Sequence, residues 1–163
     1  MTDKSKNKPI LTTLRFHAIT LIAAVVAAFA ATSSASLGWP VWAMFMGWVA
    51  FYTRGHSKDA FCSYLCLAAG IAMGVAAVLA VGMLVPATGP LAFGIVVFVV
   101  AMIVVSLRVA APLNNIPAYF LGLITFFAAH LEPGLLAVAE LLSVSGLGSV
   151  AAWWASRLQR QVA

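Results

Sequence analysis

The nine lysines and arginines of this chain, Lys4, Lys6, Lys8, Arg15, Arg54, Lys58, Arg108, Arg157 and Arg160, all fall at the edges of apolar stretches. Cations that flank apolar runs and avoid their interiors orient a chain in a bilayer, because loops rich in Lys and Arg stay on the cytoplasmic side. The bulk composition agrees. Apolar residues make up 64% of the chain and charged residues 8%, against about 45–50% and about 25% in a soluble domain. One core of this size could not hide so much apolar surface. A water-soluble globule, a nucleic-acid arm and a disordered tail are thereby excluded. The net charge of +5 reads as an orientation signal, so no nucleic-acid partner is implied.

A spanning helix needs about 20 apolar residues, and turn formers or charges bound six candidates. They run from Phe16 to Ser36, from Trp39-Pro40 to Thr53, from Ala60 to Val85, from Leu91 to Leu107, from Ile116 to Ala129, and from the Glu132-Pro133-Gly134 break to Ser156. The expected architecture is all-α and polytopic. A basic tail (1–15) and a short carboxy-terminal tail (157–163) flank a single six-span domain (16–156), with halves at 16–85 and 91–156. The small-residue stretch Ala31 to Ser36 has the look of a signal-peptide cleavage site, but the apolar run before it is long for one, so the first span is expected to stay. Pro40 and Pro117 read as helix starts, where a missing N–H costs nothing.

The loops at 33–39, 86–90 and 130–133 hold no cation. That alternation fits six spans with both termini cytoplasmic and with His130 and Glu132 outside. Segments two and five are short, each second in its group of three. This fits a 3+3 inverted repeat, whose short, Pro-interrupted segments mark the pathway in many transporters. It fits equally well coincidental short helices, tilted neighbours or local bilayer thinning. Aligned from Pro40 and Pro117, the two segments share the proline alone, with similar pairs such as Met44 with Leu121 and Met46 with Leu123. Gly70 and Gly74 in the third span, Ala23, Ala27 and Ala31 in the first, and Gly146, Gly148 and Ala152 in the sixth are small faces for close helix packing. A chain this small encloses little volume, which favours a homo-oligomer. Trp39, Trp153 and Trp154 fit interfacial belts.

Glu140 lies roughly 10 Å into the sixth helix, at a depth where a charge costs at least about 2–3 kcal/mol. A carboxyl group lining an aqueous cavity, pairing with a partner or carrying a proton would account for it; so would a Glu that only stitches helices together. Ser143 shares its face. Tyr119, Leu123, Phe126 and His130 follow helical spacing, an aromatic face that could line a pore mouth and meet Glu140 across the 131–133 turn; the alternative for His130 is a plain interfacial residue at the membrane boundary. Trp42, Trp48 and Tyr52 in the short second helix are large flat groups suited to a constriction or to packing. Asn114 and Asn115 read as caps of the fifth helix, with solute binding the alternative. Cys62 and Cys66 lack a nearby His and read as packing residues, and His17 and His56 are given no chemistry. No catalytic constellation, metal set or cofactor motif is visible, so an enzyme is not expected.

The stretch Trp39-Pro40-Val41-Trp42-Ala43-Met44-Phe45-Met46-Gly47-Trp48-Val49-Ala50-Phe51-Tyr52, the Gly70/Gly74 span and Asn115-Ile116-Pro117-Ala118-Tyr119-Phe120-Leu121-Gly122 together resemble a family of small bacterial inner-membrane proteins of unknown function, the YcdZ-like proteins. The resemblance covers most of the chain beyond Arg15. It implies a bacterial inner membrane and several spans, and it lends no substrate. The function expected from the residues is a channel or facilitator for a small polar solute, urea-like or amide-like. The alternative is a non-transporting membrane subunit or scaffold that docks a partner protein.

Overall fold

The computed structural model describes residues 7–54 and 59–162, with side chains from Thr13 onward. Lys4, Lys6, His56 and Lys58 lie outside the described residues. Within them the chain is all-helical: α1 (Asn7–Ser36), α2 (Val41–Tyr52), α3 (Ala60–Thr88), α4 (Leu91–Ser106), α5 (Ile116–Ala129) and α6 (Leu135–Val162), with a 3-10 turn at Leu107–Val109 after α4. Breaks at Gly89-Pro90, Pro112 and Pro133-Gly134 separate the later helices, as the turn chemistry dictates.

Three boundaries differ from the sequence expectation. The first helix starts at Asn7, well before Phe16, because polar residues of an interfacial turn can continue a helix begun in the apolar core. α3 runs past Val85 and through Pro86 to Thr88. α6 continues past Ser156 to Val162; Arg157 lies 5.6 Å from the centre of the Trp153 ring, and cations near a helix carboxy terminus are favoured there.

Among the described residues, four helices are long and apolar enough to cross a membrane: Thr13–Ser36 of α1, α3, Leu91–Val109 and α6. Apolar side chains cover the outside, with Phe29 76%, Met83 78% and Leu136 86% exposed. In water such a surface would aggregate. It is the surface of a membrane protein, and lipid is its solvent. α2 and α5, with 12 and 14 residues, are only about 18 and 21 Å long, short of a hydrocarbon core of about 30 Å.

The short helices each bury one face and leave Phe45, Val49, Ile124 and Phe127 on the outside. α2 packs chiefly on α6, and α5 on α3. Both crossings are made by glycine. A Cβ added at Gly47 would fall on the Ser145 carbonyl oxygen, and one at Gly148 on that of Met44. In the other pair, a Cβ at Gly122 would fall on the Leu67 carbonyl oxygen and one at Gly70 on that of Tyr119. Each crossing therefore brings backbone against backbone, which small residues allow in membranes. Gly74 is filled by the Phe126 ring, 2.7 Å from where its Cβ would lie.

Polar bonds reinforce the α2/α6 contact. Ser149 donates to the Gly47 carbonyl at 2.9 Å and Ser145 to that of Ala43 at 3.3 Å. Tyr64 of α3 donates to the Leu142 carbonyl at 2.8 Å, joining the two long helices. Tyr64→Phe is expected to lower unfolding free energy by about 1 kcal/mol, the net value of one such bond, with helix content unchanged. Thermal unfolding in detergent followed by circular dichroism measures it; a melting temperature equal to that of the parent would remove the bond from the account.

Candidate functional site

The chain leaves α1 through Gly38, whose φ of +72° turns the backbone in a way most residues resist. Ser34 secures this turn, accepting from the Trp39 N–H at 3.0 Å and donating to the Trp39 carbonyl at 3.3 Å. Trp39, Pro40 and Trp42 are thereby set at the start of α2, beside Ala128, Ala129 and Leu131 at the end of α5 and Glu140 of α6, around a cavity of about 270 Å3. Glu140 is half-buried. Its carboxylate is an acceptor of N–H groups, and indole faces attract planar or cationic groups. The cavity forms a vestibule walled by one acid and two indoles. Deeper in, the core is filled: Met44, Leu141 and Val144 are completely buried.

Two larger grooves, of about 430 and 450 Å3, lie along α6. The second is lined by side chains such as Val25, Phe29 and Trp154 and suits acyl chains.

At the opposite end, where α2 finishes and α3 and α5 begin, a polar cluster replaces the vestibule. The Asn115 amide, 4% exposed, donates to the Thr53 hydroxyl at 2.6 Å and to the fully buried Ser63 hydroxyl at 2.8 Å. Beside it, Arg54 donates to the Asn114 side-chain oxygen. Asn115 occupies the cap position of α5, yet its side chain makes no capping bond. The capping role read from sequence is corrected: the amide ties three helix ends together, which is worth more in a dry setting than one cap bond.

Other candidates are placed differently from the sequence expectation. Tyr119 and Phe126 are 3% and 2% exposed and pack in the core, because their face of α5 is the one that meets Gly70 and Gly74; they line no mouth in this structure. His130 is an exposed residue in the left-handed conformation that ends α5, and the vestibule wall passes from Ala129 to Leu131 without it. Ser143 is exposed, returns its hydroxyl to the Ala139 carbonyl at 2.7 Å and does not line the vestibule. Trp48 and Tyr52 lie with ring centres 6.3 Å apart and planes tilted by 41°, Tyr52 facing outward. Of the aromatic residues of α2, only Trp42 reaches the vestibule.

Sequence reasoning missed Gly47, Gly122, Thr53 and Ser63. One signal was available for the glycines. In the register set by the two crossings, α2 and α5 share Ala43 with Ala118, Phe45 with Phe120, Gly47 with Gly122 and Phe51 with Phe126, the pattern Ala-x-Phe-x-Gly-x-x-x-Phe.

Residues 20–159 match the family described as "Protein of unknown function (DUF1097)". No curated protein and no solved structure matches the chain.

Proposed function

We propose that this chain, which belongs to the DUF1097 family, is a facilitator rather than an enzyme, admitting a small polar solute, amide-like or urea-like, at the Glu140 vestibule. In this reading it is a bacterial inner-membrane protein akin to the YcdZ-like proteins, with six segments inserted, both termini cytoplasmic and the vestibule outside. Its halves are an inverted 3+3 repeat. The shared Ala-x-Phe-x-Gly-x-x-x-Phe pattern and the exchange of partners, α2 with α6 and α5 with α3, support the repeat. An odd number of spans per half inverts the second copy.

The observation that carries the solute reading is Glu140, a half-buried carboxylate facing a cavity with two indoles, beside two helices too short to span alone. A carboxylate kept at such depth costs stability, and an aqueous vestibule gives it solvation. The filled core makes this a closed form, and passage requires α2 and α5 to shift on their glycine crossings. The protein is read as a homo-oligomer, since one protomer encloses little volume.

Stopped-flow light scattering on proteoliposomes tests the reading with urea, acetamide, formamide and glycerol. The expected result is entry of a planar amide several-fold faster than into protein-free liposomes. If every solute enters at the protein-free rate, the facilitator reading fails and the non-transporting subunit takes its place.

A further inference from the structure

The two glycine crossings supply a register for comparing the ends of the molecule. Placing Gly47 on Gly122 and Gly148 on Gly70 superposes the contacts as well, since Ser145 then falls on Leu67 and Met44 on Tyr119, the residues whose carbonyls those glycines meet. Counting along the chain from these anchors carries the vestibule onto the polar cluster. Glu140 falls on Cys62, Trp39 on Asn114, Pro40 on Asn115, and Ala128 and Ala129 on Thr53 and Arg54. The counterpart of Leu131 falls within 55–58, outside the described residues.

We infer that the cluster around Asn115 is the second mouth of the pathway that begins at Glu140, and that this structure holds it shut. This rests on the solute reading proposed above and adds to it a second site and its gate. One end is open, with a cavity and a half-buried acid. The matching positions at the other end are closed by an amide 4% exposed that bridges hydroxyls of α2 and α3. In an inverted repeat, the two ends exchange these arrangements when the core rocks. The closed mouth carries donors where the open one carries an acceptor: the Arg54 guanidinium and the amides of Asn114 and Asn115. An amide-like solute has a carbonyl for the first set and N–H groups for the second.

Native cysteines report the gate. Cys66 is completely buried and lies one helical turn beyond Cys62, the counterpart of Glu140. With Cys62→Ser, Cys66 is the sole thiol. Inside-out vesicles are treated with a membrane-impermeant maleimide. The expected result is negligible labelling of Cys66 in Cys62→Ser, and labelling at least ten-fold faster once Asn115→Ala is added. Ser63→Ala, which removes one bond and leaves the amide, is expected to give a smaller rise, and monodispersity on gel filtration identifies folded protein. If Asn115→Ala does not fold, Ser63→Ala decides alone. Equal, slow labelling in the folded variants overturns the inference, as does fast labelling in Cys62→Ser itself. The labelling needs no solute. A responsive Cys66 with no flux keeps the mouth and rejects the amide solute, whereas flux with an unresponsive Cys66 rejects the mouth alone.

Discussion

Gly122→Val is expected to leave little monodisperse protein, with any folded fraction melting roughly 6–12 °C lower, as a loss of about 3 kcal/mol implies for a chain of this size. The reason is local. The Gly122 Cα side faces the Leu67 carbonyl and the Gly70 Cα, and neither is a side chain that can rotate away. Gly47→Val and Gly148→Val meet the Ser145 and Met44 carbonyls in the same way and should behave alike. Gly82 and Gly94 are the controls: both lie inside helices with open space where a Cβ would stand, so Gly82→Ala and Gly94→Ala are expected to gain about 0.5–1 kcal/mol. Thermal unfolding with size-exclusion chromatography separates the two groups. Equal behaviour would show that the glycine crossings do not hold the short helices in place.

The second large effect concerns Glu140. Glu140→Leu is expected to abolish solute entry while raising stability, by less than the full cost of an acid at this depth because the vestibule solvates part of it. Glu140→Gln keeps shape and hydrogen bonding but loses the charge-assisted component, a difference of about 1–2 kcal/mol, so entry should fall roughly five- to thirty-fold. Gain of stability with loss of flux is the signature of a residue kept for function. A Glu140→Leu variant that loses stability would instead mark the acid as a stitch between helices.

The six helices were legible because each is bounded by proline, glycine or charge, and because lipid permits few alternatives to the helix. The shortness of α2 and α5 was legible for the same reason. Their relation was not. Aligning Pro40 with Pro117 put them two residues out of phase: Pro40 lies before the first residue of α2, while Pro117 lies within the first turn of α5. The shared glycines and phenylalanines align when Gly47 is matched with Gly122 in place of the two prolines, and the crossings single out that register. The cluster at Asn115 lay beyond sequence reasoning, since its partners Thr53 and Ser63 are remote in the chain and come near only when α5 packs on α3. The burial of Tyr119 and Phe126 was not legible because helical spacing gives a face without saying what covers it, and here glycines do.

In the proposed reading, Glu140 borders water on the side away from the termini. Replacing Cys62 and Cys66 with serine and Glu140 with cysteine makes position 140 the sole thiol, and labelling with a membrane-impermeant maleimide on intact cells reads its exposure. The expected result is fast labelling from outside. An unreactive thiol at this position in folded protein, or one reached only from the cytoplasmic face, would contradict it.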